Sequence, residues 1–362
     1  MGRKEINYYE NRSAYKIPSI KAVSILNKTY QDDMEKSFSD QIPLAISMKK
    51  GYRFLTNVVS YETSKILINN NCNNKYINLG NGITTFGCDN NLVYQESFIS
   101  YSKDDYDKRI TNINDVIEKT NKPIYFYYIE KDTDINFETN KKTDVYNYLK
   151  KNINSNNIYR FKIDSFNDFK KYFYKTDHHW NYLGSYKAYT ELVDILTNDK
   201  PLEPTNNLCL DKKFSGSKSS YSGSARIYKE KFCFYTFNYP NYEIKINGQN
   251  KNYGNYLAYL DNKDEVVGYA GFYGGDDGEI IFNNNDLTKK NILVFGESYD
   301  NAILKLLSSH YNKTFSIDLR NYERENNQKF DYYSYIEKNN IDEILFIGNM
   351  DFYKMEEFNL EV

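Results

Sequence analysis

The sequence has 362 residues, with 47 lysines and arginines against 49 aspartates and glutamates, so its formal net charge at pH 7 is −2. That balance provides no broad basic field, which excludes nucleic acid as a predicted partner. No run of about 18 or more apolar residues occurs, which predicts a soluble chain. The opening Met-Gly-Arg-Lys-Glu lacks the apolar stretch of a secretory signal, and it equally fits a chain whose native signal or anchor segment is absent.

The N-terminal part of the sequence predicts a helical arm. Residues 17–59 carry apolar side chains at irregular helical spacing, with Pro18 and Pro43 as breaks, which predicts short helices. The asparagine-rich stretch at 69–74 is typical of a loop, and the glycines among β-forming residues at 77–88 indicate a hairpin. We therefore predict an arm over residues 1–75 and a main domain over residues 76–362.

The region from 101 to 196 alternates helical and strand patterns. The apolar run at 124–129 has the length and continuity of a buried central strand, and a shorter strand is predicted at 158–163. Helices are predicted at 101–119, 143–151, 166–174 and 184–196.

The pattern changes between residues 201 and 290, where Ser/Gly segments flank short aromatic runs such as 232–237. This composition predicts a β-rich insertion with long loops. Strands then follow at 292–295, 314–319 and 344–347, with a helix at 301–310. Strand-helix-strand alternation at this spacing predicts right-handed crossovers and a parallel sheet covered on both faces.

Cys72, Cys88, Cys209 and Cys233 form two pairs that are local in sequence, and none belongs to a Cys-x-x-Cys motif, which disfavours zinc. Two local disulfides would suit an extracytoplasmic protein, and four buried thiols would suit a cytosolic one. The spacing favours disulfides but does not determine their pairing.

Two of the three histidines stand together in Asp177-His-His-Trp180. Histidine exchanges protons near neutral pH, so the pair indicates either proton-transfer chemistry or two hydrogen-bonded structural histidines. If 177–180 is extended, residues two apart share a side, which places Asp177 beside His179 and turns His178 away. A carboxylate in that position would orient His179 as a general base.

Ser298 follows an apolar strand, in a Gly-Glu-Ser turn that precedes the predicted helix. Gly296 permits a sharp turn, and the helix start would offer free N–H groups to a developing oxyanion. Serine is also a common helix cap, so this arrangement alone is weak evidence of a nucleophile.

Two longer motifs identify a resemblance: Lys-Thr-Asp-His-His-Trp-Asn-Tyr-Leu-Gly-Ser-Tyr at 175–186 and Gly-Glu-Ser-Tyr-Asp-Asn at 296–301. Together they resemble the DHHW proteins, which are similar to the alginate O-acetyltransferase group. Shorter segments resemble the same family, at Glu10-Asn-Arg12, Phe38-Ser-Asp-Gln41, Phe214-Ser-Gly-Ser and Ile317-Asp-Leu-Arg320. One departure is Glu297, where the family more often has aspartate, and this puts the geometry of the turn in question.

The resemblance implies a three-layer α/β/α SGNH hydrolase-like fold with a parallel central sheet, circularly permuted so that the Asp-His block precedes the Ser block. It implies Ser298 as nucleophile, His179 as base and Asp177 as the orienting carboxylate. The candidate oxyanion or substrate residues are Asn349, Arg320, Trp180 and Tyr299, although an arginine at the end of a strand is as often part of a structural ion pair, and packing is the more common role of a tryptophan.

The predicted function is that of a serine-dependent carbohydrate O-acetyltransferase or acetylesterase that forms an acyl-serine intermediate. The resemblance implies an extracytoplasmic or cell-surface location, an acetylated or acetyl-accepting polysaccharide as substrate, and a membrane-bound acyltransferase as a partner. No metal or organic cofactor is required. The sequence leaves the oligomeric state open.

Two alternatives remain at this stage. The chain could be a non-catalytic carbohydrate-binding or wall-assembly protein on the same fold, because fold does not determine function. A weaker alternative makes Asp177, His178 and His179 metal ligands, although adjacent histidines rarely converge on one ion when the backbone is extended.

Overall fold

The computed structural model describes residues 6–7, 12–13, 15–20, 29–41, 44–67, 75–94, 102–254 and 268–360. The described strands are β1 (Ile6–Asn7), β2 (Arg12–Ser13), β3 (Ile77–Gly80), β4 (Ile83–Phe86), β5 (Asn91–Tyr94), β6 (Ile124–Ile129), β7 (Ile135–Asn136), β8 (Lys141–Lys142), β9 (Ile158–Phe161), β10 (Asn206–Phe214), β11 (Glu230–Thr236), β12 (Glu243–Ile246), β13 (Gln249–Asn250), β14 (Glu279–Asn283), β15 (Asn291–Phe295), β16 (Lys313–Ile317) and β17 (Glu343–Gly348).

The described α-helices are α1 (Thr29–Gln41), α2 (Ala45–Leu67), α3 (Lys103–Lys119), α4 (Val145–Asn152), α5 (Phe166–Tyr172), α6 (Tyr182–Leu196), α7 (Ser217–Tyr221), α8 (Tyr269–Tyr273), α9 (Leu304–Ser308), α10 (Leu319–Asn326) and α11 (Tyr332–Lys338). None of them is both long enough and apolar enough to cross a bilayer.

An eight-stranded sheet forms the centre of the protein, in the order β13-β12-β14-β16-β15-β17-β6-β9. The five strands from β16 to β9 are parallel. In the middle of β15, Leu293 pairs with Phe315 on one side and Ile344 on the other. The remaining three strands extend one edge in antiparallel fashion.

Apolar clusters cover both faces of this sheet. On one face, Val294 and Leu345 pack with Leu192 of α6 and Leu307 of α9. On the other face, residues of β6, β15 and β17 pack with helices α3, α4, α10 and α11. Burial on both faces explains why these strands are continuous apolar runs without alternation. The predicted three-layer α/β/α arrangement is therefore confirmed.

The region 201–290 contributes to the core sheet, contrary to a simple insertion. Strands β10 and β11 form a separate antiparallel pair, joined by the Cys209–Cys233 disulfide. Strands β12, β13 and β14 instead add to the central sheet, because β14 pairs along the whole of β16. The sheet is thus mostly parallel with an antiparallel edge.

The helix predicted at 301–310 is shorter and irregular. A 3-10 turn covers Asp300–Ala302 and α9 covers only Leu304–Ser308. The N–H of Asp300 bonds to the carbonyl of Glu297, and the N–H of Ile303 bonds to the carbonyl of Asp300, so this turn follows three-residue spacing. Two helices between β16 and β17, α10 and α11, were not predicted.

The described residues of the N-terminal region form two helices where short helices were predicted, and α2 extends over 23 residues. The predicted hairpin at 77–88 is part of a three-stranded antiparallel sheet, β3-β4-β5. Pro43, the loop at 69–74, Cys72 and the residues Glu10 and Asn11 lie outside the described residues. The division at residue 75 stays a prediction.

Candidate active site

The candidate site lies at the carboxyl edge of the parallel strands. Gly296, Glu297 and Ser298 follow β15, and Asn349 follows β17. Strand β6, on the far side of β17, leads into Lys131. Parallel strands deliver their following loops to one edge, which is where sites of open α/β sheets form.

Ser298, His179 and Asp177 form a continuous hydrogen-bonded chain. The Oγ of Ser298 lies 2.7 Å from Nε2 of His179, although the two residues are 119 positions apart. The Nδ1 of the same imidazole lies 2.6 Å from Oδ1 of Asp177. One imidazole ring therefore links Ser298 to Asp177, and each contact uses a different ring nitrogen.

The carboxylate of Asp177 is held on both oxygens. Its Oδ1 also accepts the backbone N–H of His179 at 3.0 Å, and its Oδ2 accepts the backbone N–H of Ser217 at 2.7 Å. Burial alone would raise the pKa of Asp177, but the charge and hydrogen bond of His179 outweigh it and hold that pKa well below its usual range. Asp177 therefore stays ionised and can stabilise a protonated imidazole.

The segment around the two histidines is a bend, not an extended strand. Phe173 and Trp180 form an antiparallel bridge, which forces the intervening residues to loop out. His178 does not turn away as predicted: its ring centroid lies 3.8 Å from that of His179, and its Nδ1 lies 2.5 Å from Oγ of Ser217. Asp177 and His179 do interact as predicted. The bend brings them together, and not the alternation of side chains along an extended strand.

Sequence patterns did not indicate Glu230, whose carboxylate braces this bend from β11. One oxygen accepts the backbone N–H of Thr176 at 2.6 Å and its hydroxyl at 2.7 Å, and the other accepts the N–H of Lys175 at 2.9 Å. Burial raises the pKa of Glu230 to about 7. The hydroxyl of Thr176 also accepts the N–H of Gly216 at 3.0 Å, so the 201–290 region supports the site.

Aromatic rings enclose the imidazole. The ring of Tyr269 stacks on His179 with parallel planes and a centroid distance of 3.7 Å. Trp180 and Tyr299 are fully buried and pack edge to face at 5.4 Å. The hydroxyl of Tyr299 donates to the carbonyl of His178. Because neither ring is accessible, the structure places Trp180 and Tyr299 as supports of the histidine segment and not as sugar contacts.

Asn349 and Glu297 connect the two central strand ends. The backbone N–H of Asn349 donates to Oε1 of Glu297 at 2.8 Å, while its side-chain oxygen accepts the N–H of Asp351 at 2.7 Å. The longer side chain at position 297 therefore reaches across from β15 to β17. Burial raises the pKa of Glu297 to about 7, against the opposing charge of Lys131.

Arg320 is an ion-paired residue here. Its guanidinium contacts Asp318 at 2.6 Å and Asp276 at 3.1 Å. Both carboxylates raise the pKa of Arg320 against the opposing effect of its burial. These contacts engage the guanidinium of Arg320 and favour a structural role for this residue over contact with a substrate.

A buried ion pair ties helix α7 to the sheet edge. Nζ of Lys218 lies 2.6 Å from Oδ2 of Asp132, and both side chains are fully buried. The same ammonium donates to the carbonyl of Leu92 at 3.1 Å. Sequence reasoning missed this pair, since its members lie 86 residues apart.

The alternative that Asp177, His178 and His179 bind a metal ion depends on how close their ligand atoms lie and on what those atoms already contact. The bend brings possible ligand atoms of Asp177, His178 and His179 within 4.8 Å of one another, contrary to the expectation for an extended segment. Both nitrogens of His179 and the Nδ1 of His178 already contact protein groups. An ion bound through any of those three nitrogens would have to break one of these hydrogen bonds.

The fold and the site define an α/β protein in which the Asp-His block precedes the Ser block along the chain. The family model of the DHHW protein matches residues 89–317, more than half of the sequence. The chain therefore belongs to the DHHW family, as the motifs predicted.

Two of the similar solved structures, with TM-scores of 0.60 and 0.61, share the fold of this chain at low sequence identity. PatB1 of Bacillus cereus, solved with a sulfonyl adduct, matches with a TM-score of 0.61 and 20% identity over 78% of this chain and 100% of that chain. A DHHW family protein from Eubacterium siraeum matches with a TM-score of 0.60 and 14% identity, over 78% and 95% of the two chains. AlgX of Pseudomonas aeruginosa matches with a TM-score of 0.34 and 10% identity, over 72% and 60%. No curated protein matches in sequence.

Proposed function

We propose that this protein is a serine-dependent carbohydrate O-acetyltransferase or acetylesterase, with Ser298 as nucleophile, His179 as general base and Asp177 as the orienting carboxylate. The observation that carries the proposal is the chain of two short contacts, 2.7 Å from Ser298 to His179 and 2.6 Å from His179 to Asp177. Both lie within the range required of a nucleophile, its base and the group that orients the base.

The proposed reaction has two halves. The Oγ of Ser298 attacks the carbonyl carbon of an acetyl ester while Nε2 of His179 takes the hydroxyl proton. Collapse of the tetrahedral intermediate breaks the ester bond, and the leaving alcohol receives that proton from His179. A sugar hydroxyl or water then attacks the acetyl-serine and gives its proton to His179. When the C–O bond to Ser298 breaks, His179 returns that proton to Oγ, which restores the serine hydroxyl and the neutral imidazole.

We assign stabilisation of the oxyanion to individual hydrogen-bond donors and not to a helix dipole. The 3-10 turn and the five-residue α9 give a short helical segment after Ser298, so a helix dipole contributes little. We propose the carboxamide of Asn349 and the backbone N–H groups of the Ser298 turn for this role. The bond from Glu297 to the N–H of Asn349 would keep the two strand ends in register during the reaction.

Family membership and similarity to PatB1 both support acyl-transfer chemistry at this site. Membership of the DHHW family fits an acyl-transfer site, and PatB1, which shares the fold, has been solved with a sulfonyl adduct. The proposed substrate is an acetylated or acetyl-accepting polysaccharide, with a membrane-bound acyltransferase as the acetyl source. An extracytoplasmic location fits the Cys209–Cys233 disulfide, since such bonds persist in oxidising compartments.

The direct test is Ser298→Ala with 4-nitrophenyl acetate as substrate. Loss of a triad nucleophile lowers kcat by about 10⁴-fold or more in related chemistry, so we expect turnover to fall by at least that factor. The matched control is Ser102→Ala, because Ser102 is exposed and its side chain makes no capping bond. Turnover that survives Ser298→Ala would end the proposal.

The alternative, a protein that binds carbohydrate without turnover, is separated by chemical labelling. The protein is treated with a phenylmethanesulfonyl fluoride solution and analysed by mass spectrometry of its peptides. We expect a sulfonyl group on Ser298 and none in the His179→Ala variant, since an unactivated serine reacts poorly. An unlabelled Ser298 together with absent esterase turnover would favour the binding protein.

A further inference from the structure

A shallow open cleft, with a volume of about 60 Å³, lies near the candidate active site. Its walls come from the start of α6, the end of β11 with the segment after it, α8, and the turn that follows Ser298. The residues that matter most for its chemistry are Tyr182, Tyr186, Tyr235, Phe237, Asn301 and Lys305. Nothing in the proposed acetyl transfer to and from Ser298 uses this cleft.

Partly exposed aromatic rings form one wall of the cleft. Tyr235 packs edge to face against Tyr182 at 4.8 Å and against Tyr186 at 5.4 Å, and Tyr186 lies 5.8 Å from Phe237. These four side chains are all intermediate in exposure, so each presents part of its ring to the cleft. A tyrosine offers an apolar face and a hydroxyl together, which suits the C–H faces and hydroxyls of a sugar ring.

Lys305 is the only charged residue among the described residues that line the cleft. Within that part of the chain no acidic side chain forms an ion pair with it, and its Nζ lies 6.0 Å from the ring centroid of Tyr253. Burial lowers the pKa of Lys305, with no carboxylate acting in the opposite direction. A partly buried ammonium without an anion is unfavourable, so the cleft is complementary to a ligand that brings a negative charge.

The cleft is close enough to Ser298 to hold part of a substrate that reacts there. Asn301 and Ala302 line it, and Asn301 follows Ser298 by three positions. Three trans peptide units span at most about 11 Å between those Cα atoms. A neighbouring sugar unit of a polysaccharide could therefore occupy the cleft while another unit presents its ester or hydroxyl to Ser298.

We infer that the cleft is a carbohydrate subsite for a sugar ring that carries a carboxylate, with Tyr235 contacting the ring and Lys305 pairing with the carboxylate. This inference rests on the proposed function, because it names the substrate class of the same site: an acidic polysaccharide. A neutral glycan or an aliphatic chain would leave the ammonium of Lys305 without a partner.

Isothermal titration calorimetry at low ionic strength tests the inference with two probes, trigalacturonic acid and its methyl ester, in which methylation removes the charge of each carboxylate. We expect wild type to bind the acid about tenfold more tightly than the ester. Lys305→Gln should reduce that preference to less than about twofold, Lys305→Arg should keep it, and Tyr235→Ala should weaken both probes. Lys245→Gln, a change of an exposed lysine on β12, is the control and should bind as wild type does.

Several results would overturn the inference: no binding of either probe, equal binding of both, tighter binding of the ester, or an unchanged preference in Lys305→Gln. Thermal melting of each variant shows whether it is folded, and Lys305→Arg keeps the test valid if the glutamine variant is not. The esterase test with Ser298→Ala is independent of these measurements. Binding of the acid without Ser298-dependent turnover would remove the catalytic proposal only, and turnover without binding would remove the subsite only.

Discussion

At the scale of single residues, the two adjacent histidines differ in what their ring nitrogens contact. His179 spans a carboxylate and a hydroxyl, whereas the Nδ1 of His178 contacts Ser217. Burial is the main cause that lowers the pKa of His178, followed by the charge of His179, so a second positive charge beside His179 is disfavoured. In the proposed mechanism, this difference makes His179 the histidine that exchanges a proton with Ser298.

Glu297 predicts a pH dependence of stability. Its pKa in the folded protein, about 7, lies above the ordinary value of 4.5, so the folded state holds the proton between those values and the unfolded state does not. The protonated Glu297 therefore contributes its full stabilisation of the folded state below pH 4.5. This contribution to the free energy of unfolding, up to about 3 kcal/mol, is lost as the pH rises through 7. Glu297→Gln removes this group, so the stability of wild type relative to the variant should fall between pH 5 and pH 8.

Urea unfolding at several pH values measures this difference. Glutamine can still accept the N–H of Asn349 through its side-chain oxygen, so the variant is expected to fold. Glu357→Gln changes an exposed glutamate and should keep the wild-type pH profile. Parallel profiles for wild type and Glu297→Gln would contradict the prediction.

At the scale of elements, the bend that carries Asp177 depends on a glycine in another part of the chain. A Cβ on Gly216 would lie 2.3 Å from Cβ of Asp177 and 2.5 Å from its Oδ2. The following residue, Ser217, donates its N–H to that same carboxylate. The loop before α7 and the histidine bend therefore fit together only when position 216 has no side chain.

Gly216→Ala should displace Asp177 and so misorient His179. Displacement of a catalytic group by about 1 Å can lower the rate about 100-fold, so we expect a loss of that order in kcat for 4-nitrophenyl acetate. The control is Gly51→Ala, because a Cβ at that position of α2 meets no atom within 4 Å. Wild-type kcat in a folded Gly216→Ala variant would show that the carboxylate is not needed in its observed position.

At the scale of the whole molecule, the region 201–290 is integrated with the sheet in two ways. Its later strands extend the sheet edge, and α7 contributes Lys218 to a fully buried pair with Asp132 just after β6. Ion pairs of this kind do not by themselves increase stability, but removing one partner leaves a charge buried alone. The region therefore cannot separate from the core without exposing that pair.

Lys218→Met should lower the free energy of unfolding by about 3–5 kcal/mol, since the carboxylate of Asp132 is left without its ammonium. The double variant Lys218→Met, Asp132→Asn removes both charges and should recover part of that loss in urea unfolding. Lys108→Met breaks an exposed pair with Glu356 and should change stability little. A loss for Lys218→Met no larger than that of the exposed pair would contradict the buried-pair account.

The layered fold and the pairing of the two motifs could be predicted from the sequence. Continuous apolar runs such as 124–129 and 292–295 require burial on both faces, which leaves few arrangements other than a covered parallel sheet. Local signals did not reveal that β14 would join this sheet, because its short alternating pattern fits a free hairpin equally well. Helix α9 was overextended in the prediction for the same reason: the 3-10 turn depends on contacts beyond the segment.

The residues that support the site could not be predicted from the sequence and became evident from the packing of the folded chain. Glu230, Gly216 and Lys218 act on residues that lie far away in the sequence, through hydrogen bonds and close approach that periodicity does not encode. The sequence likewise did not show whether Trp180 and Tyr299 are exposed, since an aromatic residue next to a motif can either pack in the core or contact a sugar. Local patterns determine which segments form elements, whereas the position of a side chain at a site depends on every element that packs around it.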